Sequence, residues 1–416
     1  MSSSYRKLYV ALGAGALLGV GSGASGAANW EWLPRLEGGA TYNDNYRMAE
    51  IPSQKQMVYG PYIDAQLAAD LISPRGHLDI VPRVVSNYYP NDTADNSTDE
   101  FLNIDGDYTG LRSELKGVAQ YYNETTIISE LPPATFPGVN LGQVVGGATG
   151  RVSFRNREQF SRIAPEYLYD LTQRTHLDLQ ADVQHASFGK SLIQQYGYNN
   201  YTGRAGLRFD VTQRSKLAVR GVYSRFTPQV GSDTDRYGIE MQWSMRNSQI
   251  MQTYLRFGAN RLAAQTPQGT INSTGFTGGA GVEWNFQITQ VVIDALREIT
   301  PSDAGSVITN DELRFRVLHA FEPRFSGFFG ARALRVRGAS SKPGFAIQGE
   351  DYVTGELGLE YQVSLNFRVQ GTYTLTWQQF QAEPSAQSNA VGLAFIYQPL
   401  SQYQPLPEFT GIPREP

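Results

Sequence analysis

Along much of this chain apolar and polar residues alternate one by one. Phe367, Val369, Gly371, Tyr373, Leu375 and Trp377 fall on one face, against Arg368, Gln370, Thr372, Thr374 and Thr376 on the other. The same holds for Val353 to Tyr361, for Phe276 to Phe286, for Tyr237 to Trp243, for Gly203 to Phe209 and, upstream, for Pro61 to Ala69. A period of two places successive side chains on opposite faces of a β-strand. Between these runs come short polar breaks of one kind, Thr172-Gln173-Arg174-Thr175 and again Thr212-Gln213-Arg214-Ser215. Further breaks fall at Ser73-Pro74-Arg75, Thr109-Gly110, Asn247, Ile288, Pro323 and Val363, with a longer irregular break between each pair. Such a unit reads as a chain of β-hairpins, tight turns at one end and long loops at the other.

Alternation alone also fits a soluble sandwich, whose apolar face points inward. The runs here last about 9–12 residues, enough for a tilted strand to cross a bilayer, where sandwich strands are nearer five or six. Aromatics (Tyr169, Trp243, Phe286, Tyr361, Phe367, Trp377) sit on the apolar face near run ends, as in interfacial girdles. The predicted fold is therefore all-β, a transmembrane antiparallel up-and-down β-barrel. Eight short turns give about 18 strands, with 16 as the alternative, from near Leu33 to a last strand over Ala390–Tyr397. The pattern is poorest over 101–108, 112–123 and 290–297.

The N-terminus supplies an address. Arg6 and Lys7 precede an apolar run from Leu8 to Val20 and a small-residue stretch from Ser22 to Ala28, the layout of a secretory signal peptide over residues 1–28. The apolar run is too short to span a membrane. Residues 29–398 then form the barrel, and a proline-rich tail over 399–416 is expected to be extended and periplasmic. There are no cysteines, which excludes disulfides, thiolate metal sites and a lipidated Cys. Removing residues 1–28 takes away Arg6 and Lys7 and no acid, so the net charge falls from −4 to −6, no argument for nucleic acid.

Candidate chemistry follows from the polar face. The expected lumen-lining residues are Arg204, Arg208, Arg220, Glu240, Arg256, Glu283, Arg314, Arg316, Glu356, Glu360 and Arg368. Rings of charge select solutes by sign and size. The plainer alternative is that opposite charges on neighbouring strands pair, as Glu360 and Arg368 should across their shared turn. The longest break, Thr125 to Thr149, mixes prolines and glycines with apolar residues; Pro132, Pro133, Phe136 and Pro137 mark it as a candidate constriction loop, or else an external loop packed on its neighbours. Of the four histidines, His77, His176 and His319 fall beside short turns while His185 stands apart, and no catalytic or metal constellation emerges. No cofactor and no enzymatic activity are expected, a hydrolase being the remote alternative.

The opening strand, Glu37-Gly38-Gly39-Ala40-Thr41-Tyr42-Asn43-Asp44-Asn45-Tyr46-Arg47, resembles the start of an outer-membrane β-barrel porin family with an aromatic–acidic–Asn pattern just after the first strand. Several members of that family are encoded with exopolysaccharide biosynthesis genes. The resemblance covers about a dozen residues and transfers no site residues. It implies a channel-like protein of the bacterial outer membrane, in contact with its lipids, carrying small hydrophilic solutes or serving surface polysaccharide export. A structural or accessory barrel without an open pore is the alternative, and the oligomeric state is not read from the sequence.

Overall fold

The computed structural model describes residues 29–130, 156–189, 195–339, 349–381 and 383–399. Residues 1–28, the loop from 131 to 155 and the tail beyond Pro399 lie outside the described residues.

The chain forms one closed sheet of 18 antiparallel strands, each paired with its neighbours in sequence. After β1 (Asn29–Asn43), eight pairs are joined by short turns. The first four are β2 (Val58–Ser73) with β3 (Gly76–Asn87), β4 (Ser97–Thr109) with β5 (Ser113–Thr125), β6 (Arg157–Asp170) with β7 (Thr175–Phe188), and β8 (Tyr198–Thr212) with β9 (Ser215–Pro228). The next four are β10 (Asp233–Ser248) with β11 (Met251–Thr266), β12 (Gly269–Asn285) with β13 (Thr289–Pro301), β14 (Val307–Glu322) with β15 (Phe325–Gly338), and β16 (Glu350–Gln362) with β17 (Phe367–Phe380). The last strand, β18 (Ser385–Tyr397), returns to β1 in a register from Leu36↔Tyr397 to Asn43↔Ala390 and closes the barrel. A sheet closed on itself has no edge strand, so every strand has a ladder partner on each side.

The eight short turns fall where the polar breaks predict them, and the strand number is 18 rather than 16. Strands also exist where alternation is weakest. In β4 one alternate set includes Ser97, Asp99, Asn103, Asp105 and Asp107 beside Phe101, while the other includes Thr98, Glu100 and Gly106, so polar residues on both faces blur the pattern. The end strands are longer than expected. β1 already runs at Asn29, with Trp30 and Trp32 exposed, and β18 begins at Ser385 rather than Ala390.

In a closed barrel one alternate set faces out and the other in. The exposed set is apolar: Ile63 is 57% exposed, Ile239 66% and Phe395 62%. Exposing that much hydrocarbon to water costs about 25 cal/mol per Å², so the exterior is suited to lipid. Toward the short turns Phe286, Phe321, Tyr361 and Phe367 ring this belt; toward the long loops Tyr42, Tyr59, Tyr201, Tyr223 and Tyr237 do. Ion pairs Arg297–Asp311 and Arg335–Asp351 lie among outward-facing residues above the belt, at the long-loop end.

Candidate functional site: the barrel interior and an inward-folded hairpin tip

All eleven expected lining residues lie on the inward set, and most are tied to opposite charges on adjacent strands. Arg208 reaches Glu166 at 2.6 Å and Asp178 at 3.3 Å. Arg220, on the next strand, donates to the same Asp178 at 2.7 Å and lies 3.6 Å from Glu240. Arg256 pairs with Glu298, and Arg314 with Asp294, with Glu312 3.7 Å away. Arg368 reaches Glu360 at 3.2 Å, one pair out of register from the direct facing its turn predicts. Glu283 accepts from Asn285 and Gln290, both at 2.9 Å, and its charge acts on Arg316. Glu356 stands opposite Gly330 and Thr374. Arg204 alone of the seven arginines in this set has no ion pair or hydrogen bond among the described residues.

Above this layer the wall changes. β12 pairs with β13 only from Gly278↔Arg297 to Asn285↔Gln290, whereas β13 stays paired with β14 up to Pro301↔Val307. Beyond Arg297, β13 leaves β12 and bends into the barrel. Its Glu298 reaches Arg256 on β11, and its Ile299 carbonyl accepts from Arg236 Nη1 on β10 at 3.2 Å. The hairpin tip continues across to the loops before β8 and β10. The amide of Tyr196 donates to the Asp303 carbonyl at 2.8 Å. Gly305 (φ 75°) and Gly231 (φ 123°) lie against one another so closely that a Cβ on Gly231 would stand 2.0 Å from the Gly305 carbonyl.

What holds the tip is hydrocarbon. Ile299 and Val307 are buried in a cluster with Ala186, Tyr198, Phe226, Leu262 and Ala264, inward-facing residues of β7, β8, β9 and β11. Ser302, Asp303 and Ser306 are buried with them. Removing these apolar side chains from water stabilises the docked tip by roughly 1.5–3 kcal/mol per fully buried side chain.

The constriction residues expected from sequence, Pro132, Pro133, Phe136 and Pro137, lie outside the described residues. Only the entry to that loop is described, a single helical turn α1 (Thr126–Glu130) in which Thr126 and Glu130 are buried. The tip at 299–307 was not singled out by sequence, because its break is short. A signal was nonetheless present: at Ala186, Tyr198, Phe226, Leu262 and Ala264 the otherwise polar inward register turns apolar. The histidines are spread as expected. His77 bonds Asp70, His176 lies between Asp170 and Asp210, and His319 bonds Thr289, all toward the short turns; His185 contacts Asn199 near the long-loop end.

No family model matches the sequence, and no curated protein matches it. Solved outer-membrane channels are similar in structure. The crystal structure of Pseudomonas aeruginosa OccK2 (OpdF) is 11% identical with a TM-score of 0.45, covering 89% of this chain and 99% of that one. The channel DcaP of Acinetobacter baumannii is 12% identical with a TM-score of 0.43, covering 90% and 98%. Pseudomonas aeruginosa OpdK, solved with vanillate, is 10% identical with a TM-score of 0.41, covering 88% and 99%. At these identities the likeness says nothing of what this chain carries.

Proposed function

We propose that this chain is a porin-like channel of the bacterial outer membrane that passes small hydrophilic solutes. On this reading the segment 1–28 directs export, the short turns face the periplasm and the long loops face outward. The observation that carries it is the pairing of two surfaces on one closed wall, an apolar exterior and an interior lined with charge. A spanning strand must satisfy its backbone within the protein, which only a closed barrel achieves, and a barrel of this strand number is wide enough for an aqueous lumen. Arg204, Arg208, Arg220, Glu240, Arg256, Glu283, Arg314, Arg316, Glu356, Glu360 and Arg368 would then set the field felt by a passing solute. The tip at 299–307 would narrow its path.

The test is single-channel conductance of the purified, folded protein in a planar bilayer, with and without an anionic oligosaccharide. A steady ohmic current that the oligosaccharide leaves unchanged is the expected result. Block by the oligosaccharide would instead favour a conduit for surface polysaccharide. Repeated insertions without current would favour an accessory barrel with no open pore, a reading supported by the near-dry inner pairs Asp178–Arg220 and Glu312–Arg332.

A further inference from the structure

Three inward guanidiniums gather on β8, β10 and β11. Arg204, Arg236 and Arg256 are close enough for their charges to act on one another. Their bonding differs from that of Arg208 and Arg220, which share Asp178. Arg204 is half-buried and bonded to nothing among the described residues. Arg236 is 8% exposed, yet its bonded partners are neutral: Nε donates to Asn260 Oδ1 at 2.7 Å and Nη1 to the Ile299 carbonyl at 3.2 Å. Arg256 is paired with Glu298, but its Nε finds no acceptor. Two further acids lie near, and each faces another arginine: Glu240 faces Arg220, and Asp294, whose charge reaches Arg256, is paired with Arg314.

A guanidinium taken out of water without a counter-charge costs several kcal/mol. Here two of three lack a carboxylate bonded to them, so the cluster carries uncompensated positive charge at the level where the inward tip begins. The local build keeps it so. Gly238, inward on β10 and opposite Asn260, has no side chain, and a Cβ there would stand 2.4 Å from Asn260 Oδ1. Glycine at this position leaves the Asn260 amide free to hold Arg236, without supplying an acid. Guanidiniums present forked donors that match the oxygens of a carboxylate or phosphate.

We propose that Arg204, Arg236 and Arg256 form an anion-binding subsite beneath the β13–β14 tip, taking the carboxylate or phosphate group of a small hydrophilic solute. The proposal deepens the channel reading and rests on it only for how a solute arrives. The subsite binds by charge and hydrogen bonds, so added salt weakens it.

The experiment is equilibrium dialysis of inorganic phosphate, and separately of acetate, against the full mature chain folded in detergent micelles. Saturable binding of at least one probe is expected, weakening with added salt. Arg204→Gln should reduce affinity about tenfold, the loss of a charge-assisted contact, while Arg335→Gln, in an outward-facing pair on the outer wall, leaves it unchanged. Arg204 is bonded to no described residue, so its substitution leaves the fold intact, checked by heat-modified mobility on a gel. Preference for phosphate or for acetate identifies which group the subsite is built for. Absence of saturable binding by either probe, or equal affinity in Arg204→Gln, overturns the proposal. Binding without conductance would sink the channel reading and leave the subsite standing; conductance without binding would do the reverse.

Discussion

Two neighbouring hairpin tips at the long-loop end show how differently one architecture can finish a strand pair. Between β11 and β12 the ladder runs to its last pair, Thr266↔Gly269, and the Thr266 hydroxyl donates to the Gly269 carbonyl at 2.7 Å. Pro267 to Thr270 are exposed, and a Cβ on Gly269 would meet nothing within 4 Å. Between β13 and β14 the tip turns inward, buries Ser302, Asp303 and Ser306, and brings Gly305 against the Val230 carbonyl. Both breaks are short and polar. The difference lies below them: Ile299 and Val307 flank the inward tip and meet apolar partners on the inner wall, while Thr266 and Gly269 flank the outward one. Flanking hydrocarbon anchors the five-residue tip 302–306 inside the lumen, whereas the two-residue turn 267–268 has neither the length nor the apolar flanks to dock.

The largest expected effect removes the contrast altogether. Replacing Ser302–Ser306 by a two-residue Asn-Gly turn gives β13–β14 the finish that β11–β12 already has. Single-channel conductance should rise by about twofold or more as the path widens. Replacing Pro267-Gln268 by Asn-Gly at the outward tip should leave the current as it was, and equal currents from both variants would mean that the inward tip does not narrow the path. Next in size is Leu262→Ala. Leu262 is fully buried against the docked tip, and its truncation should cost roughly 2–5 kcal/mol of folding stability. Leu255→Ala, on the same strand but facing outward and 51% exposed, should cost much less, and reversible urea unfolding in micelles compares them directly.

Much of the wall was legible because a barrel writes itself into sequence twice, once as a period of two and once as regular short turns. The turns at Gln173, Gln213 and Pro323 could be placed to within a residue or two. β4, β5 and β13 were blurred, since the glycines Gly106 and Gly117 stand on the outward set of β4 and β5, and the apolar Val292 and Leu296 stand on the inward set of β13. The interior was read only at the level of which face a residue takes. Arg204 and Arg208 look identical along β8, yet one is neutralised by Glu166 and Asp178 and the other is not, because the partners come from β6 and β7 in a register the sequence does not print. The inward tip was missed for a related reason. Its docking surface is assembled from one residue each on β7, β8 and β9 and two on β11, none of them unusual in its own strand.

A finer cut separates backbone strain from docking. Gly305→Ala and Gly269→Ala both place a side chain at positive φ, 75° and 120°, each costing roughly 1–3 kcal/mol. At Gly269 that is the whole cost. At Gly305 the new methyl also lies 2.2 Å from the Val230 carbonyl, so the tip must back away. Gly305→Ala should therefore speed hydrogen exchange at the Tyr196 amide, which donates to Asp303. Gly269→Ala should leave that amide protected, and equal protection in both variants would mean the glycine contact does not hold the tip.

The smallest effect in stability is the most informative about the latch. Arg236→Gln removes the donor to the Ile299 carbonyl, worth about 1.5–3 kcal/mol for a charged hydrogen bond. It also removes the donor to Asn260 and with it a buried guanidinium that has no bonded acid, and the several kcal/mol of desolvation so relieved opposes the two lost bonds. The two contributions nearly cancel, so unfolding should shift by no more than about 1 kcal/mol. The tip's own freedom does not benefit from that cancellation, since the bond crosses from β10 to the bent part of β13 and the desolvation does not. Exchange at the Tyr196 amide should therefore quicken in Arg236→Gln while the midpoint of unfolding stays put. A large drop in stability with no change in exchange would show that Arg236 braces the wall and not the tip.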